Sequence, residues 1–173
     1  LHTATFELPD TAIEAVRLET LHLYDNACAI IAGGLSLNLT EILSGRPIGE
    51  VIAKSRKPLD FNIDENYDGS VKGLYGEIVQ FISRAQASLS PAQSDELFLL
   101  RAAGRDIVEA IKDTKHLQKN LSHYLGSANQ EIRKEYDQIR ASLAQVLRQL
   151  DEVRKQGGDS AAVLSLDSLK IAM

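Results

Sequence analysis

Residues 106–121 read DIVEAIKDTKHLQKNL. No Gly or Pro interrupts them, and Ile107, Ala110, Ile111, Thr114, Leu117 and Leu121 recur at three-four spacing, the period of an amphipathic helix. The pattern extends both ways. Upstream, SPAQ at 90–93 supplies Ser90 as cap, Pro91 at the first helical position and Gln93 reaching back. Downstream, Gly126 is the stop. One helix of about 50 Å is therefore expected. A helix that long needs partners of similar length to cover its apolar stripe, so this stretch decides for an all-α fold.

Three partners follow from the rest of the chain. The first helix is expected to open at TAIE, with Thr11 and Glu14 as a capping box. Its apolar positions run from Ile13 to Ile31, and Gly33–Gly34 close it. The second is DGSVKGLYGEIVQFISRAQAS, 68–88, where Val71, Leu74, Ile78, Phe81 and Ala85 share a face. The fourth opens at SANQ with Ser127 and Gln130. It carries a heptad seam of Ile132, Tyr136, Ile139, Leu143, Val146, Leu150 and Val153, and GGDS at 157–160 ends it. The short connections near 87–90 and 126–127 make antiparallel neighbours. The expected architecture is one domain over 1–173, an antiparallel bundle of four long helices. Two segments stand apart: an irregular excursion at 35–66, broken by two prolines and two glycines, and the apolar tail AAVLSLDSLKIAM within 157–173. A connection as long as 35–66 invites a functional explanation. The tail is left open between docking, swapping and disorder.

Composition narrows function by exclusion. A net charge of −5 and no basic cluster argue against a nucleic-acid partner. Aromatics at 5% and no Trp suit Leu/Ile/Val/Ala helix packing better than a sandwich. The single Cys28 rules out an internal disulfide and Cys-based zinc sites, and its apolar setting predicts a buried thiol in a reducing compartment. No run of roughly 18 apolar residues exists to span a bilayer. A start on Leu1 reads as a piece of something longer. No phosphate loop, nucleophile elbow, Cys/His pair or dinucleotide fingerprint appears, and catalysis is not expected.

The chemistry that remains is acidic. Asp106, Glu109 and Asp113 fall within an arc of roughly 60° on the third helix, and His116 widens it to roughly 80°. They lie along the edge of the apolar arc, where like charges repel and a cation would relieve them. Oxygen ligands suit Mg, Ca or Mn; adding His suits Fe or Zn. Solvated ion pairs with Arg105, Lys112 and Lys115 are the alternative. Asp25 shares a stripe with Leu18, Leu21 and Cys28, and needs either a basic partner or a shared cation. Glu19-x-x-His22 and Asp113-x-x-His116, with Glu77 and Glu135, have the spacing of a di-iron carboxylate bundle.

In its order of helices the chain resembles a known family. DIVEAIKDTKHLQKNL resembles the signature helix of PhoU-like proteins, with Glu109 and Asp113 at the E-x-x-x-D positions and Asn120–Leu121 after them. YDGSVKGLYGEIVQFISR is similar to the helix before it, and RLETLHLYDNACAIIAGGL resembles the opening helix of the C-terminal region of bacterial sodium/phosphate cotransporters. The resemblance covers about 14–125. It implies a three-helix unit, here joined by a fourth helix, that regulates phosphate uptake without catalysis and binds a divalent metal through Glu109 and Asp113. It implies a place on the cytoplasmic face of the bacterial inner membrane, with the transporter's own membrane domain or a second copy as partner. A homo-oligomer is expected. The chain departs from the pattern in having one clear E-x-x-x-D and no second three-helix unit.

Overall fold

A computed structural model describes residues 9–156. Every regular element among them is helical: α1 (Pro9–Gly34), α2 (Leu39–Ile42), α3 (Ile48–Lys54), α4 (Ile63–Ser70), α5 (Lys72–Ala85), a 3-10 turn (Gln86–Ser88), α6 (Pro91–Tyr124) and α7 (Gln130–Gln156). The tail assigned at sequence level to 157–173 lies outside the described residues.

Directions alternate for the long helices in chain order, but the packing is organised on two that run parallel. Among the described residues, α1 and α6 make the most extensive contact. Gln93 meets Asp10 at 2.9 Å, Arg17 pairs with Glu96, Gly104 lies against Leu23, and Thr114 lies against Gly34, so both chains climb together. Two apolar clusters flank this pair. The lower one joins the first part of α1 to α4, α5 and α6 through Val16, Leu23, Ile78, Phe81, Leu100 and Ile111. The upper one joins the last part of α1 to α2, α3, the end of α6 and α7 through Cys28, Leu35, Ile42, Val51, Leu121 and Leu147. The 35–66 excursion is thus core-forming: α2 and α3 are the floor on which α7 lies. The second helix expected over 68–88 is bent at Val71, where the backbone leaves helical geometry (φ −122°), giving α4 and α5.

The termini show which local signals decide. Ser90 and Gln93 form the reciprocal box expected of them, at 3.3 and 3.0 Å. At α7 the cap is Asn129 rather than Ser127, because the Asn129 side-chain oxygen reaches the amides of Glu131 and Ile132. Thr11 lies within α1 rather than at its start, and Glu14 turns to Arg17 at 2.6 Å. α1 does end at Gly34, yet neither glycine takes the left-handed conformation that closes the helix. Ser36 does, at φ 57°. The Leu37 amide bonds Ala32 and the Ser36 amide bonds Gly33, the paired bonds of a Schellman motif. The glycines serve packing. A Cβ on Gly33 would stand 2.5 Å from the Phe61 ring, and one on Gly34 would stand 2.7 Å from Ile63 and 2.8 Å from Thr114.

Candidate functional site

The acidic ridge of α6 faces outward. Glu109 and Asp113 are exposed, as is His116, while Asp106 is half-buried. Lys112 Nζ donates to Glu109 at 3.1 Å, and this bond, then the charge of Glu109, holds the Lys112 pKa above its ordinary value. Lys115 turns instead to Asp64 of α4 at 2.8 Å. The ridge therefore has two of its three acids and its histidine in solvent, with one acid already matched by a lysine one turn on. Asp25 lies on α1, where Arg154 of α7 donates to it at 2.8 Å, the basic partner that an acid on an apolar margin calls for. The five candidate ligands are not brought to one point. Glu19 and His22 stand 3.8 Å apart on an exposed face, with His22 63% open. Among the described residues no group of three or more His, Cys, Asp and Glu side chains gathers as a metal ion would require.

The polar centre of the molecule is one that the sequence hid. Arg140 lies on α7 with its side chain fully enclosed. Nε donates to the Leu35 carbonyl at 2.8 Å, Nη2 to the carbonyls of Ser36 and Ser55, and Nη1 to Asp137 at 3.2 Å. Two turns on, Arg148 donates to the Ile42 carbonyl at 2.8 Å and to that of Arg46. Apart from that of Arg46, which lies in the turn before α3, these carbonyls are at the C-terminal ends of α1, α2 and α3, where helices leave acceptors unmatched and carry partial negative charge. α7 is thereby fastened by two guanidinium groups to three helix ends. Burial pulls the Arg140 pKa down, and Asp137 beside it pushes back. The heptad seam read from the sequence packs in part, through Tyr136, Leu143 and Leu150, at the edge of the buried line. Its Ile139 is 38% exposed, and the buried residues of α7 are Arg140, Ala144 and Leu147. An arginine at the middle of a buried face masks that face from any hydropathy pattern; the signal available was Arg140 and Arg148 at i and i+8 around Ala144.

Where α7 crosses α1, Cys28 and Tyr24 are both buried, and the Tyr24 hydroxyl donates to the Cys28 sulfur. Burial pushes the Cys28 thiol up to about 12, with smaller contributions from Asp25 and Asp151 in the same direction. Burial likewise raises Tyr24 well above the usual phenol range. A thiol held neutral in this way is a packing group rather than a nucleophile. No described helix is long and apolar enough to cross a membrane. Comparison of the chain with protein-family models, with curated proteins and with solved structures returns no match.

Proposed function

We propose that this chain is a non-catalytic regulatory domain of the PhoU-like kind, carried on the cytoplasmic side of a bacterial sodium/phosphate cotransporter, and that it acts through contacts of its helices. One observation supports this reading most. The helix bearing Glu109-x-x-x-Asp113 is the shared strut of the fold, packed on α1 and α5 as a three-helix unit, with the acidic ridge turned outward and available to a partner. A fourth helix, α7, completes the bundle. The partner is the transporter's own membrane domain or a second copy. Sodium-driven phosphate uptake by the whole gene product tests the reading, against the same product lacking residues 9–156. Uptake that persists but no longer responds to phosphate supply fits a regulator. A whole product that moves no phosphate ends the proposal.

A metal-free mode is favoured over a divalent cation on the ridge because Glu109 is engaged by Lys112 and Asp25 by Arg154. Titration with Mg²⁺, Mn²⁺ and Zn²⁺, wild type against Glu109→Ala/Asp113→Ala, separates the two. Binding that the double substitution abolishes would restore the cation. The bland rival is a helical interaction module with no link to transport, and the uptake comparison distinguishes it.

A further inference from the structure

Between α3 and α4 the backbone is pinned on both sides of a short loop. On one side Arg140 donates to the Ser55 carbonyl. On the other, the Leu59 amide donates to Ser36 Oγ at 3.0 Å, Gln118 Nε2 donates to the Phe61 carbonyl at 2.8 Å, and the Phe61 ring lies against Gly33. The four residues from Arg56 to Leu59 all have exposed side chains. Leu59 is 48% exposed although Phe61, two residues on, packs on the lower cluster. Exposure here belongs to an anchored backbone, not a loose one.

Charge is concentrated at the same place. Lys54, Arg56 and Lys57 fall within four residues, all exposed, in a chain whose net charge is −5. AKSRKPL is too short to register as a basic cluster in the sequence; its surroundings single it out. Exposed cations elsewhere are matched, Arg46 by Glu41, Lys112 by Glu109, Lys115 by Asp64 and Lys155 by Asp151. Among the described residues Lys54, Arg56 and Lys57 have no such acid. With three cations and one acid, Asp60, residues 54–60 carry a net charge of +2. The loop is also remote from both ends of the described chain. About 37 Å of α1 separates Pro9 from Gly34, and about 24 Å of α7 separates Arg140 from Gln156.

We propose that this loop rests on an anionic lipid surface, with Lys54, Arg56 and Lys57 among the headgroups and Leu59 below them. The pairing of cations with a protruding leucine selects this occupant. A nucleic acid would take the cations and leave Leu59 in water, and it needs a broader basic face than this chain offers. A bilayer interface takes both, the charges at the headgroups and the apolar side chain at the acyl boundary. The pinned backbone leaves little to order on binding. Each basic residue near such a surface favours binding about fivefold, and a half-exposed leucine adds a similar factor. Four such factors give a partition coefficient on the order of 10³ M⁻¹ in lipid. That is too weak to recruit a free protein, and enough to orient a domain already tethered beside a bilayer. Binding of the full chain to vesicles does not depend on the regulatory reading.

Flotation of the full chain with vesicles at millimolar lipid tests it, phosphatidylcholine alone against equal parts phosphatidylcholine and phosphatidylglycerol. Binding is expected only with phosphatidylglycerol. Arg56→Gln/Lys57→Gln should weaken it about 25-fold. Salt at about 0.5 M, where the Debye length is roughly 4 Å, should release the wild type. Leu59→Ser should weaken binding about fivefold without altering its salt dependence. Both variants should keep the wild-type urea midpoint, since Arg56, Lys57 and Leu59 lie outside both apolar clusters, so that lost binding is not lost folding. No binding at millimolar lipid, equal binding to both vesicles, or full binding by Arg56→Gln/Lys57→Gln would overturn the proposal. So would a dimer on size exclusion that the same double substitution dissolves in the absence of vesicle binding, which would give the loop to an acidic face of a second copy.

Discussion

Replacing Arg140 with Met keeps most of the side-chain volume and removes the donors. Three main-chain carbonyls, of Leu35, Ser36 and Ser55, stay where they are and lose the guanidinium that faces them. That asymmetry separates this case from exchanging a whole buried ion pair for apolar groups, which is often neutral. Here the acceptors are backbone and cannot be exchanged, and each one left unmatched in the interior costs about 1–3 kcal/mol. The expected loss is about 3–5 kcal/mol, or a melting point lowered by roughly 10 °C for a chain of this size. The loss should be local before it is global, because Arg140 holds α7 to the excursion rather than α1 to α6. Cys28 reports this, being the only cysteine and lying beneath α7. With its pKa near 12, about one thiol in ten thousand is ionised at pH 8; at the ordinary pKa of about 8.5 roughly a quarter is. Alkylation of Cys28 should accelerate in Arg140→Met by a large factor at urea concentrations where far-UV circular dichroism is still native. A variant within about 1 kcal/mol of wild type in urea, with Cys28 equally slow to react, would refute the reasoning.

Gly34→Ala gains helix propensity of about 1 kcal/mol but drives a methyl into Ile63 and Thr114, so a net loss of about 1–3 kcal/mol is expected in the urea midpoint; a stabilised variant would show that the α1–α6 approach is loose. Alkaline pH should weaken the fold. Cys28 and Tyr24 both have folded pKa values raised by burial, so their contribution is whole below the unfolded pKa of Cys, about 8.5, and declines as pH rises toward about 12, by at most about 1.4 kcal/mol per pH unit per group. Cys28→Ala should flatten that decline between pH 8.5 and 10.5, and equal slopes in the two proteins would contradict it. Ser90→Ala removes the cap of α6 and should cost about 1 kcal/mol in thermal melts, with no change in Cys28 reactivity because the cap lies at the opposite end from α7.

What could be read in advance was what depends on nearest neighbours along the chain. The all-helical class, the span of α6 and the Ser90 box follow from spacing and capping chemistry that no distant residue overrides. The position where α1 stops was legible, but its cause was not. Gly33 and Gly34 look like a stop signal, while their small size answers to Phe61, Ile63 and Thr114, far away in sequence. The turn itself falls to Ser36, whose left-handed backbone is held by partners from elsewhere. Its carbonyl accepts from Arg140, and its hydroxyl accepts from the Leu59 amide at 3.0 Å. The face of α7 was read only in part: Tyr136, Leu143 and Leu150 do pack on the upper cluster, but the buried line through Arg140 was missed, since an arginine counts as polar until its carbonyl partners are known. The acids of α6 were placed on one ridge as their spacing requires. Spacing carries no information on which lysine reaches which acid, and Lys115 crosses to α4 instead of serving its own helix.

The parallel pairing of α1 with α6 also bears on how the chain reaches its native state. Arg17 and Glu96 are 79 residues apart, so the largest contact surface closes a long loop before it returns any stabilisation. The α5–α6 hairpin, by contrast, is joined by a short turn and can zip locally. Refolding should therefore be limited by the arrival of α1 on a preformed α5–α6 hairpin, with α7 docking afterwards on a floor that exists only once α1 is in place. Substitutions at Leu23 or Gly104 would then slow refolding, while Arg140→Met would chiefly hasten unfolding.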